Sequence, residues 1–290
     1  MSGMRVRLGH IFDPASGRAL IVPVDHGLVL GALAGLENPR SLLESLEPLG
    51  VDATLLGPGL AQLHGDLFAR RSAPARILTV DMPLLSNVPG ESSEVRAYAM
   101  IATVDDALRL GVDGVKAMLV WGIEPSVEMD SLRLIAALAR ECDRSGMPLM
   151  IEPVLWGAAI GDARHADAHL IANACRIAVE IGANIVKAPY VADMDALAML
   201  VRNTPVPLVI LGGPRLDSER EVLQIAEHAT AAGVNGLVFG RNVFQRPNAA
   251  QMIKALRAII HDNKTASEAA GLLGLAPDTE RTNATVAVFN

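Results

Sequence analysis

Aromatic residues are scarce in this chain: five Phe, two Tyr and two Trp among 290 residues. That leaves no platform on which successive bases could stack. Positive charge is not in excess either, and the net charge of −7 argues against a nucleic-acid surface. No apolar run approaches the roughly 20 residues needed to cross a bilayer, so the chain reads as soluble, with no membrane partner. Met1 to His10 holds no apolar block followed by a small-residue cleavage site, so no signal peptide is indicated. Cysteine is limited to Cys142 and Cys175, both within apolar helical patterns. This favours buried thiols in a reducing compartment over a disulfide, and the expected location is the cytoplasm. A Gly-x-Gly-x-x-Gly turn is missing after the first apolar run, which weighs against an open dinucleotide-binding sheet.

What is present is a regular alternation of short apolar runs and helical patterns, the signature of a parallel sheet with crossover helices. The expected strands are 19–25, 51–57, 76–81, 114–119, 147–153, 184–188, 207–213 and 236–240. Between them, Asn38 and Pro39 start a helix whose face carries Leu42, Leu43 and Leu46, with Gly50 closing the turn. Thr103 with Asp105 and Asp106 starts another, stopped by Gly111. Leu170, Ala174, Ile177, Ala178 and Ile181 form a stripe at helical spacing before Gly182, and Ser218 with Glu221 has capping-box spacing ahead of Ile225 and Ala229. Eight strand-helix units over about 230 residues fit a single α/β domain, a (β/α)8 TIM barrel spanning 1–290. The stretch DPASGR reads as a turn or short hairpin at the barrel's bottom, and the tail after about 275 as polar and irregular.

In such a barrel the chemistry lies at the carboxyl ends of the strands. The first strand ends in Asp25, His26 and Gly27 and the third in Asp81; the fourth carries Lys116, the fifth Glu152 and the sixth Lys187. The seventh ends in Gly212 and Gly213, the eighth in Gly240 and Arg241. Lysine is rare here, four against 21 arginines, and two of the four interrupt apolar strands where a charge is expensive. A lysine in a poorly solvated site beside another cation loses its proton more easily and can attack a carbonyl. Equally, Lys116 and Lys187 could pair with Asp25 or Glu152 as buried ionic packing, or grip a phosphate. The GGPR and GRN turns offer main-chain N–H groups, and Arg241 a forked cation, for a phosphate after strands seven and eight.

These residues resemble a family. PVDHG, GVKAML, IEP, ANIVKAPY, VILGGP and FGRNVFQ, spread from about Gly17 to His261, are similar to motifs of the class I aldolases of the archaeal fructose-bisphosphate aldolase and tagatose-bisphosphate aldolase superfamily. The resemblance implies that Lys187 forms a Schiff base. It further implies that Asp25 binds substrate hydroxyls and assists proton transfer, and that Gly212, Gly213, Gly240 and Arg241 hold the phosphate of a small phosphorylated sugar. It also implies a homo-oligomer, and neither cofactor nor metal. Val154 stands where archaeal fructose-bisphosphate aldolases carry a tyrosine acid/base, whereas Glu152 and Lys116 resemble the glutamate and second lysine of the tagatose-bisphosphate branch.

The expected reaction is reversible cleavage of a phosphorylated ketose to dihydroxyacetone phosphate and an aldehyde. Glu152 or Asp25 would move the proton, and Lys116 would depress the neighbouring lysine's pKa and steady the alkoxide. The alternatives are another Schiff-base transferase on the same scaffold, of transaldolase, amino-sugar-precursor or acyl-transfer type, and a phosphosugar-binding protein without turnover. Other polar residues have plainer readings. His165 and His169, with Asp162 and Asp167 nearby, have a metal-ligand spacing but read as an exposed helix start. Asp81 equally suits the site or a turn before Pro83, His26 the first loop or a structural role, and Trp121 and Trp156 a pocket wall or loop cover. Asn283 to Thr285 matches a glycosylation acceptor that has no meaning in the cytoplasm.

Overall fold

Strand formation follows the β-branched and leucine-rich runs closely, because a strand buried on both faces needs apolar side chains at every position. The computed structural model describes residues 2–86, 88–91 and 95–276. Its strands are β1 (Ala19–Pro23), β2 (Ala53–Leu56), β3 (Ala75–Thr79), β4 (Asp81–Leu84), β5 (Ala97–Met100), β6 (Gly114–Val120), β7 (Leu149–Val154), β8 (Ile185–Pro189), β9 (Leu208–Leu211) and β10 (Gly236–Val238). Eight of them close into a parallel barrel in the order β1-β2-β3-β6-β7-β8-β9-β10, with β10 paired back to β1. Every strand expected from the sequence takes part, and the chain has the (β/α)8 TIM barrel fold.

Helix ends form where the sequence places them. The Asn38 side chain accepts the Ser41 N–H ahead of Pro39–Leu46. Thr103 and Asp106 make a full capping box, and Gly111 ends that helix with φ 67°. Ser218 accepts the Glu221 N–H. Among the described residues no helix is long and apolar enough to cross a membrane.

Two elements differ from expectation. The N-terminal lead-in is a helix, Ser2–Ile11, whose weak amphipathic pattern hides it from periodicity. Its last residue, Ile11, is fully buried and caps the lower barrel core beside Ile21, Leu55, Ile77 and Ile185. DPASGR is then a turn, closed by Asp13 N–H to Arg18 O and Gly17 N–H to Asp13 O, both 2.8 Å. The second is the antiparallel β4–β5 hairpin above β3, which the sequence reading did not include. The polar tail beyond Ala276, with the Asn283 acceptor, lies outside the described residues.

Alternation along each strand positions the site. Ala19, Ile21, Ala75, Ile77, Met150, Ile185, Val209 and Val238 fill the barrel's interior. Stepping by two toward the carboxyl ends brings Asp25, Thr79, Asp81, Glu152, Lys187, Leu211 and Gly240 onto the same inward face, and all of them line one cavity. The intervening residues, such as Leu20, Val22, Leu78, Ile151, Val186 and Ile210, face the helices in the outer core. Cys142 and Cys175 are buried free thiols there, and burial pushes both up to about 12.

Candidate active site

The cavity at the carboxyl ends of the strands measures about 430 Å³. On its inner face β6, β7 and β8 lie side by side, so Lys116, Glu152 and Lys187 meet although 36 and 35 residues separate them. Glu152 sits between the lysines: its Oε2 is 2.9 Å from the Lys116 Nζ and its Oε1 is 2.9 Å from the Lys187 Nζ. The three are 3%, 5% and 8% exposed for Lys116, Glu152 and Lys187. One carboxylate therefore uses both oxygens to join two buried ammonium groups.

Electrostatics distinguish the members. Burial works against the Lys116 charge, but Glu152, Asp81 and Asp25 outweigh it and hold the ammonium above the ordinary lysine range. Lys116 therefore keeps its proton and is a poor nucleophile. Burial likewise opposes the Glu152 charge, yet Lys116 and then Lys187 bring its pKa below the usual glutamate value. Of the two readings of the lysine pair, neighbouring cations or partners of a carboxylate, the structure shows the second, with Glu152 shared between them.

Asp25 follows the same pattern. Burial raises its pKa, and the pull of Lys116, His26 and Lys187, with a 2.6 Å hydrogen bond from Thr79 Oγ1, brings it below the ordinary value. His26 stands 3.8 Å from Asp25, and its ring meets Phe244 edge-on with centroids 5.3 Å apart. Burial lowers its pKa, so the ring is neutral near pH 7.

Across the barrel, the two glycine turns come together because β9 and β10 are neighbours. Gly213 has φ 64°, a conformation that L side chains avoid. A Cβ on Gly240 would stand 2.6 Å from His26 Cε1, so this glycine also makes room for the histidine. Gly212 differs from expectation: its N–H is taken by Val238 O at 3.1 Å, so it shapes the turn without offering a donor. Asn242, 1% exposed, ties the turns together by donating to Gly212 O and Pro214 O and accepting from Leu216 N–H. Arg241 lines the cavity, and its buried Nε has no partner. A buried guanidinium N–H without an acceptor is costly unless an anion completes it.

The remaining residues sort by contact. Asp81, open to two readings in the sequence, is in the cavity wall. Trp156 lies in the same wall, whereas Trp121 packs against the outer core. His169 is exposed in the first turn of Ala168–Ile181, but His165 faces the cavity with its Nε2 buried and unpartnered, contrary to the surface reading. Among the described residues no cluster of three or more His, Cys, Asp or Glu could hold a metal ion. Thr79 and Tyr98 escaped notice in the sequence; the inward parity of Ala75 and Ile77 marks Thr79, while nothing local marks Tyr98.

Residues 19–246 match a family described as DeoC/LacD family aldolase. The chain belongs to that family. It is 32% identical over 274 residues to an uncharacterised aldolase of Saccharolobus solfataricus, covering 94% of this chain and all of the relative. It is also 32% identical over 274 residues to the 2-amino-4,5-dihydroxy-6-oxo-7-(phosphonooxy)heptanoate synthase of Streptomyces griseus, covering 94% of this chain and 95% of that enzyme. Among solved structures, a Schiff-base-forming fructose-1,6-bisphosphate aldolase superposes with a TM-score of 0.76 at 25% identity, over 89% of this chain and 99% of that one. The aldolase described here is thus an enzyme of the class I family on a TIM barrel, as the motifs implied.

Proposed function

We propose that this aldolase reversibly cleaves a phosphorylated ketose to dihydroxyacetone phosphate and an aldehyde through a Schiff base on Lys187, without a metal. The observation that carries the reading is Glu152 bridging the Lys187 and Lys116 ammonium groups at 2.9 Å each at the base of the cavity. A carboxylate in that position can take the Lys187 proton as the ketone arrives. Neutral Lys187 then adds to the carbonyl carbon, and Glu152, now protonated, returns the proton to the carbinolamine hydroxyl as water leaves. In the iminium, Glu152 or Asp25 removes the proton of the hydroxyl next to the scissile bond. That bond breaks, the aldehyde departs and the electron pair moves into the enamine. Lys116, which keeps its charge, stabilises the alkoxide that develops during this step. Arg241 and the Gly213 and Gly240 turns hold the phosphate, with Gly212 and Asn242 fixing their shape.

The Streptomyces relative's name supports this donor, since it describes a ketone adjacent to a carbon bearing a phosphonooxy group. It also supports a second reading, in which the same enamine builds a longer phosphorylated precursor. Assembly of identical chains around this barrel completes the proposal. Borohydride trapping with dihydroxyacetone phosphate, followed by peptide mass mapping, tests donor and lysine together. The label is expected on Lys187 and lost in Lys187→Met with the fold intact. Labelling on Lys116 would overturn the assignment, and no label at all would remove the donor.

A further inference from the structure

Asp81 is 1% exposed, lies in the cavity wall and, beyond its share in holding the Lys116 charge, has no part in the chemistry described so far. Its two oxygens are in different situations. Oδ2 accepts the Tyr98 hydroxyl at 2.9 Å and the Met118 N–H at 2.6 Å, which fills its acceptor capacity. Oδ1 is buried and has no hydrogen-bond partner. A buried carboxyl oxygen without a partner costs free energy in the resting protein, a cost that a bound ligand can remove.

The barrel order says which part of a ligand that is. Phosphate held at β9 and β10 and a ketone joined to Lys187 on β8 occupy one side of the ring; β3 lies opposite β9, and β6 opposite β10. A ketose anchored in this way extends its far half, the part that leaves as aldehyde, toward Asp81. We propose that Asp81 is a substrate-contacting residue whose Oδ1 hydrogen-bonds an oxygen of the acceptor half of the ketose, on the far side of the scissile bond. The inference rests on the Schiff-base reading for the placement of the substrate, and on the Asp81 geometry for the contact.

The geometry also says which oxygen of Asp81 makes the hydrogen bond. With both Oδ2 positions occupied by donors, Oδ1 is the oxygen left for a further partner. Burial, the largest influence, raises the Asp81 pKa, and nearby Glu152 adds to it. Lys116, the Met118 N–H and Tyr98 offset this only in part. Tyr98 holds its own proton firmly, since burial and then Asp81 raise its pKa well above the tyrosine value. It is therefore a fixed donor that orients Asp81 and leaves Oδ1 to hydrogen-bond an oxygen of the aldehyde half.

Asparagine can reproduce that arrangement, accepting through its carbonyl and donating through its amide. Aldol addition of dihydroxyacetone phosphate to D-glyceraldehyde is measured in Asp81→Asn and Asp81→Ala. Asp81→Asn is expected to keep the aldehyde KM within about threefold of wild type, and Asp81→Ala to raise it about tenfold or more. Trapping of the donor on Lys187 should be unchanged in both, which also shows that both fold. An asparagine variant as impaired as alanine, or an alanine variant with unchanged KM, would overturn the proposal. Carboxyl 13C NMR of the resting wild-type protein, assigned against Asp81→Asn, reads the same group without any donor. An Asp81 signal that moves on adding D-glyceraldehyde is expected. A signal the aldehyde leaves in place overturns the proposal whether or not Lys187 traps the donor.

Discussion

The lower and upper halves of the barrel are built from the same strands and the same inward-facing parity, yet one is hydrocarbon and the other a charge cluster. Met150 lies two residues below Glu152, Ile185 two below Lys187, and Ile77 four below Asp81. Two residues advance a strand by about 7 Å, so the interior changes from apolar filling to ionised site within one layer of side chains. The lower layer is closed by Ile11 and gains its stability from burial. The upper layer holds its central charges through pairing: Glu152 serves two lysines, and Thr79 supports Asp25. The comparison teaches that in this fold stability and reactivity are separated along the barrel axis rather than between domains.

Breaking the upper half should produce the largest effect. Glu152→Gln leaves two buried ammonium groups without their anion, which should cost about 3–5 kcal/mol of stability. As it cannot exchange protons, turnover should also fall about 100-fold or more. The Glu152 pKa is depressed on folding, so its stabilisation is fully present above the unfolded value of 4.5 and is lost as pH falls through the folded value. Denaturation across a pH series should therefore show the gap between wild type and Glu152→Gln widest above that pH and narrowing below it. A gap independent of pH, or near-normal turnover, would mean that Glu152 is only a packing residue.

Breaking the lower half should leave chemistry alone. Ile11→Ala removes the side chain that caps the lower core and should destabilise the protein by about 2–5 kcal/mol. Its kcat and KM, measured below the melting transition, should match wild type. A kinetic defect would show that the two halves are coupled.

The smallest effect sharpens the contrast within the upper half. Arg241→Ala should weaken phosphorylated substrates by about 1.5–3 kcal/mol, the worth of a charge-assisted contact, and unphosphorylated analogues hardly at all. Equal losses for both in substrate titrations would place the phosphate elsewhere.

Much of this was legible in the chain because it depends on local pattern. Apolar runs with Gly and Asn-Pro punctuation mark the strands and helices, and their alternation fixes the fold through the need to bury both faces of each strand. The rarity of lysine, together with its position inside strands, singled out Lys116 and Lys187. The helix Ser2–Ile11 was not legible, since a polar helix buried mainly through its last residue has almost no amphipathic signal. Nor was His165, whose neighbours Arg164 and Asp167 suggest a surface segment until the loop returns over the cavity.

The sequence by itself thus determined the barrel, its eight strands and the charged residues at their carboxyl ends, because those follow from short-range periodicity and the cost of burying a charge. Only the tertiary structure decided that Glu152 is shared by both lysines and that Gly212 spends its N–H on Val238. It also decided that Tyr98 and Met118 occupy one oxygen of Asp81 and leave the other without a partner. Each of these is a distance between groups far apart in the chain. Closure of the barrel sets such distances, and no local pattern encodes them.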